Sequence, residues 1–188
     1  MDDRGFPGPF QPVYDSQMET LIALLRAVNV GGTGKLPMAK LRSMAEASGF
    51  VRVKTYIQSG NLVFATDRKS NEAKAILEKR LETYAGKPVG VVVRTPEEMR
   101  AILEANPFPD AEPSKIGVLF LDTAPPSDTV EAAKGRADEQ IVLGEREVFV
   151  HYPSGMGRTK LRFPAMKDGT VRNINTIAKL KDMSAREN

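Results

Sequence analysis

The residues best suited to chemistry fall in four clusters. In the first, Arg26 and Asn29 precede Gly31, Gly32, Thr33, Gly34 and Lys35. A strand, a glycine-rich turn and a helix start in succession aim free backbone N–H groups and the helix dipole at one spot, which makes an anion cradle. It is not a Walker A loop. Asn29 stands where that motif needs glycine, and Leu36 stands where it needs Ser or Thr, so the usual magnesium-contacting hydroxyl is missing. Arg26 is a guanidinium within an otherwise apolar strand; buried, it needs an acidic partner or a bound anion, and the sequence leaves both open.

The second cluster is Gln58, Ser59, Gly60 and Asn61, for which a tight hairpin turn at Gly60-Asn61 is a sufficient explanation. The third runs from His151 and Tyr152 through Ser154, Gly155, Gly157, Arg158 and Thr159 to Lys160. Its glycines suit a flexible or close-approach loop, and Arg158 and Lys160 could reach a phosphate or carboxylate. His151 is the one histidine of the chain, so the usual sites built on two or three histidines are excluded. Ser154 lies outside a nucleophile-elbow pattern. The fourth cluster is Gly169 to Thr176, where Thr170 or Asn173 can cap a last helix and Arg172 lies beside its positive end. A cation placed there suits an anionic ligand, or equally a salt bridge between two halves of the chain. Acid–base work could fall to Lys35, Lys160, Tyr152 or Asp122. No nucleophile–base pair, metal-ligand spacing, paired-carboxylate motif or cofactor motif accompanies them, so no metal or cofactor is expected.

The elements that must position these residues follow from periodicity. Thr20–Val28 reads as a buried strand, Pro37 opens a helix with Met38, Leu41, Met44, Ala45 and Ser48 on one stripe, and Gly49 stops it. Val51–Ser59 alternates, with Val51, Val53, Thr55 and Ile57 on one face and Arg52, Lys54, Tyr56 and Gln58 on the other. A strand over Leu62–Ala65, a helix over Ser70–Ala85 and a strand over Val89–Val93 complete a ferredoxin-like β-α-β-β-α-β unit. Thr95, Pro96 and Glu98 form a capping box opening another helix. After a proline-punctuated connection over Asn106–Pro113, the second half reads as strand Ile116–Leu121, helix Ser127–Ala137, strands Glu139–Leu143 and Glu145–Val150, an irregular segment, and a helix from Asn173. That repeats the first topology without its last strand and without a sequence repeat. The expected fold class is α+β: a ferredoxin-like half over residues 18–106 packed against a related half over residues 107–188. Residues 1–17, rich in Pro and Gly, read as a flexible extension or a non-native leader, with Met18 an alternative start.

Composition narrows the function classes only slightly. A formal charge of +3 permits phosphate contact without demanding it, and a dedicated nucleic-acid binder carries a denser basic stripe. The absence of cysteine suits a cytoplasmic protein. The longest apolar stretch, Leu21–Leu25, is far shorter than the about 20 residues of a membrane span.

Taken in order, LIALLRAVNVGGTGKLPMAKLRSMAEASGF, VKTYIQSGNLVF, HYPSGMGRTKL and GTVRNINTIAKL resemble the bacterial domain-of-unknown-function family DUF1697, over about Met18 to Met183. The resemblance implies two α+β halves, the first ferredoxin-like, and supplies no activity. It singles out Arg26, Asn29, Gly31, Gly32, Lys35, Gln58, Ser59, Gly60, Asn61, Lys160, Arg172, Asn173 and Thr176 as the residues around which a ligand would bind. Relatives often carry an aromatic residue where Ile174 stands, and the stretch from Leu161 to Thr170 is shorter here than in many of them.

The leading expectation is a binder of an anionic small molecule or nucleotide at the junction of the halves, with Arg26 and Arg172 meeting around it. The alternatives are a single-stranded nucleic-acid binder on an open sheet face and an enzyme of unrecognised type. Both faces of the first strand are apolar, so each is covered, by the second half in a monomer or by a second copy in a homodimer.

Overall fold

A computed structural model of the chain describes residues 18–29 and 35–185. The expected extension over residues 1–17 and the glycines Gly31, Gly32 and Gly34 lie outside the described residues.

The first half forms the strands β1 (Glu19–Leu25), β2 (Val51–Tyr56), β3 (Asn61–Thr66) and β4 (Val91–Arg94), with helices α1 (Met38–Glu46) and α2 (Ser70–Ala85). The antiparallel sheet order is β2-β3-β1-β4, the ferredoxin-like arrangement. One face of β1, through Leu21, Ala23 and Leu25, packs with Leu62 and Phe64 of β3 against Leu41 and Ala45 of α1 and Leu77 and Leu81 of α2. Phe64 stacks on Phe50 with ring centroids 4.4 Å apart.

The other face of β1 is covered by the rest of the chain. Ile22, Leu24, Val63 and Val92 share a core with Met99 and Ile102 of α3 (Pro96–Glu104), Ile177 and Leu180 of α4 (Ile174–Ser184), and Val118, Phe120 and Phe149 of a second sheet. That sheet contains β5 (Ile116–Phe120), β6 (Gln140–Leu143), β7 (Glu147–His151) and β8 (Thr170–Asn173), ordered β6-β7-β5-β8. Its outer face packs Leu119, Val148, Val150 and Tyr152 against Leu161, Phe163 and Ala165 of the irregular segment. The fold is therefore α+β, with two four-stranded antiparallel sheets enclosing α3 and α4. Among the described residues no helix is long and apolar enough to cross a membrane.

Four expectations need correction. The second half does have its last strand: Thr170–Asn173 pairs with β5, too short to stand out between Gly169 and the helix start. The helix expected over Ser127–Ala137 is absent. Thr129 folds its hydroxyl onto the Pro126 carbonyl, and Lys134 instead bridges Arg162 across the sheet's outer layer. Gly135, at φ +68°, lies so close to the Lys160 carbonyl that no Cβ fits there.

The third correction lies in β2, which does not alternate cleanly. A bulge between Val51 and Lys54, with Arg52 at φ +51°, exposes Val51 and buries Val53. Finally, Asn61 is the first residue of β3, paired with Tyr56, and the turn is Ile57–Gly60. Beyond the end of β1, Ala27 at φ +47° turns the chain so that Val28 packs into the helix-side core.

Arg94, at the end of β4, ties the sheets together. It is 1% exposed, and its guanidinium donates to the Leu121 carbonyl at 2.7 Å and to Glu147 Oε1 at 2.9 and 3.2 Å, while lying over the Phe120 ring. The low dielectric around such a pair makes an uncompensated member costly, which fixes β4 against β5 and β7.

Candidate functional site

The chain leaves β1 at Leu25 and rejoins regular structure at α1; Asn29 closes that excursion. Its amide oxygen accepts the Leu36 N–H at 2.7 Å, and its amide nitrogen donates to the carbonyls of Leu36 (3.0 Å) and Gln58 (2.7 Å). The side chain acts as a short strand partner for Leu36, and its own φ of +56° is one that asparagine tolerates. Asn29 thus holds both ends of the glycine-rich loop and ties them to the turn after β2.

A cleft of about 700 Å³ is lined by Arg26, Lys35, Leu81, Tyr84, Lys87 and Val89, among others. The Arg26 backbone N–H donates to the Gly90 carbonyl at 2.9 Å, and its side chain crosses over Gly90, where a Cβ would displace it, to donate to the Lys167 carbonyl. Arg26 Nε is buried and has no hydrogen-bond partner among the described residues. Three cations therefore line the cleft, and among its described lining residues there is no carboxylate. Lys87 also follows the C-terminal end of α2, where a cation offsets the helix dipole.

Arg172 approaches the same end of β1 from the opposite side of the sheet. It is 6% exposed and donates to Asn61 Oδ1 (2.5 Å), Thr170 Oγ1 (2.7 Å) and the carbonyls of Leu25 (3.0 Å), Ser59 (2.8 Å), Gly60 (3.3 Å) and Val171 (2.9 Å). Every acceptor is neutral, and loss of hydration pushes the guanidinium down to about 10. Gly60, at φ +77°, is compulsory here: a Cβ would come within 2.5 Å of Val28 Cγ2 and 2.8 Å of Leu25 Cβ. Asn61 completes the arrangement by donating its amide N–H to the Tyr56 carbonyl and Ser59 Oγ.

Asn29 is thus bonded to Gln58, and Arg172 to Ser59, Gly60 and Asn61, around the end of β1, while Arg26 and Lys35 line the cleft there. Arg26 and Arg172 do not face each other across a gap; both donate to backbone carbonyls, and among the described residues neither is paired with a carboxylate. Asn173 caps α4 by accepting the N–H of the buried Thr176 at 2.9 Å. Lys160 is exposed, in the irregular segment that packs against the second sheet's outer face, and does not line the cleft. Gly31 and Gly32 lie outside the described residues.

Elsewhere in the third cluster, His151 packs on Phe108, while Ser154 donates to Asp138 at 2.6 Å. Burial pushes the Tyr152 hydroxyl up to about 12, so it stays protonated. Among the described residues no group of three or more potential metal ligands converges.

Sequence reasoning missed Tyr84, Lys87 and Gly90, which line the cleft from α2 and the connection to β4. It also missed Arg94. An arginine ending an apolar strand, the same signal that marked Arg26, would have found it.

A search of curated proteins finds no match. Among solved structures, a conserved bacterial protein from Streptococcus pneumoniae is similar, with a TM-score of 0.73 and 25% identity over 89% of this chain and 98% of the other. The model for the family described as proteins of unknown function, DUF1697, matches residues 18–149, and the chain belongs to that family.

Proposed function

We propose that this protein binds an anionic small molecule or nucleotide in the cleft at the end of β1. The observation that supports this reading is the convergence of Arg26, Lys35 and Lys87 on one concave surface with no described carboxylate among its lining residues. Cations crowded without counter-charges repel one another, and a bound anion relieves that repulsion. Tyr84, Leu81 and Val89 add apolar surface for the uncharged part of a ligand. Arg172 braces the sheet behind the cleft rather than contacting the ligand.

For the single-stranded nucleic-acid alternative, the part of the sheet face that carries Ile22, Leu24, Val63 and Val92 is buried under α3, α4 and the second sheet, which leaves only the β2 edge, with Arg52 and Gln58, exposed. That leaves the cleft as the favoured reading.

Thermal shift with phosphate, pyrophosphate, nucleotides and small carboxylates tests it, because a ligand that prefers the native state raises the melting temperature. A phosphate-bearing compound is expected to stabilise the wild type, and Arg26→Met and Lys35→Met/Lys87→Met are expected to abolish the shift. No shift at millimolar concentration, or a shift retained by both variants, refutes the reading.

A further inference from the structure

The two halves carry the same arginine brace, and they differ at one position in it. In the first half Ile22 of β1 pairs with Arg94 of β4; in the second Val118 of β5 pairs with Arg172 of β8. Arg94 reaches across to the Leu121 and Arg146 carbonyls and the side chain of Glu147. Arg172 reaches back to the Leu25 and Gly60 carbonyls and the side chain of Asn61. Each arginine also donates to the preceding residue's carbonyl, Val93 or Val171. Leu25 donates its N–H to the Gly60 carbonyl, as Leu121 does to that of Arg146. Thr95 and Asn173, which follow the two arginines, cap α3 and α4. The halves therefore hold each other through one repeated device, and a short repeat does exist in the sequence, Val93-Arg94-Thr95 against Val171-Arg172-Asn173.

The difference is in charge. Arg94 has the Glu147 carboxylate, while Arg172 has the Asn61 amide at the corresponding place, and no described carboxylate contacts it. The asymmetry continues one residue along: Asp122 follows Leu121 and is paired with Lys74, whereas Arg26 follows Leu25 and lines the cleft. One end of the molecule is electrically balanced; the other accumulates Arg172, Arg26, Lys35 and Lys87.

We infer that Asn61 is a specificity-determining residue of the cleft: by leaving Arg172 uncompensated, it sets the site for a multiply charged phosphate ligand of the pyrophosphate class. This rests on the cleft being an anion site. Arg172 has no donor to spare and acts through its field across the strand end, so it is a positioning charge and not a contact. The summed positive charge favours a pyrophosphate group over a monovalent carboxylate.

The test is calorimetric titration of the full chain with inorganic pyrophosphate and with acetate. Wild type is expected to bind pyrophosphate and not acetate. Asn61→Asp, which supplies the missing carboxylate, is expected to weaken pyrophosphate about tenfold, while the neutral Asn61→Ser changes it less than about threefold. A purely structural role would make the two variants alike. Glu147→Gln, at the balanced end, is expected to leave affinity unchanged. If Asn61→Asp does not fold, Asn61→Leu/Arg172→Met removes the buried charge and must show the same loss. Pyrophosphate binding by Asn61→Asp, or by the double variant, equal to wild type overturns this inference while the cleft reading stands, provided that Arg26→Met still abolishes binding. A wild type that ignores pyrophosphate overturns this inference, and one that ignores every anion tested overturns both.

Discussion

Replacing Gly60 by alanine probes the tightest point of the site. Two independent costs apply. An L-residue at φ +77° pays about 1–2 kcal/mol for the left-handed conformation. The new methyl would meet Leu25 Cβ at 2.8 Å and Val28 Cγ2 at 2.5 Å, and since the first is anchored to the β1 backbone, rotation cannot clear it. Overpacking of that kind adds about 1–3 kcal/mol. The combined loss of about 2–5 kcal/mol is a large part of a typical domain's stability. Gly49→Ala isolates the first cost, because Gly49 has φ +85° and nothing within 4 Å of the added Cβ. Urea unfolding of both variants is the assay, with Gly60→Ala expected to lose about 1–3 kcal/mol more than Gly49→Ala. Equal losses would show that the approach of β1 to the turn does not constrain the structure, and the account of Gly60 would fail.

Glu147→Ala strands the buried Arg94 charge and should cost about 3–5 kcal/mol by the same urea measurement, with Glu147→Gln costing less because an acceptor remains. Asn173→Ala and Thr95→Ala each remove one helix cap and should cost about 1 kcal/mol, with the two losses adding if the caps act independently. The Glu139 carboxyl is held below its ordinary value first by the Thr159 hydroxyl and then by the Ala137 N–H. Its contribution is present above the ordinary carboxylate pKa and is lost as pH falls through the depressed one, so Thr159→Val should flatten the acid side of the stability curve and raise the Glu139 pKa seen by NMR.

What could be read from the residues was whatever a single periodicity controls. The α2 stripe, the β1 run with both faces apolar, and the Thr95-Pro96-Glu98 capping box each specify an element without help from distant chain. The failures share a cause. The β2 bulge depends on Arg52 entering a left-handed conformation, which side-chain alternation does not report. The segment after Pro126 has three small apolar residues, Val130, Ala132 and Ala133, which suit a helix as well as the turns observed, and tertiary contact with Arg162 decides between them. At the site, the basic residues were visible by type. Their surroundings were not, since the neutrality of the acceptors around Arg172 depends on which residues β3 presents to it from more than half the chain away.

The paired arginines also bear on how the molecule can come apart. Each half supplies the carbonyls that hydrate, in effect, the other half's guanidinium, so separation must exchange both sets of hydrogen bonds for water at once and expose the shared apolar core. Heat should therefore melt the chain in one calorimetric transition. Expressed alone, either half would bare the apolar face that Ile22 and Leu24, or Val118 and Phe120, bury together, and co-expressed fragments should find each other and restore the interlock.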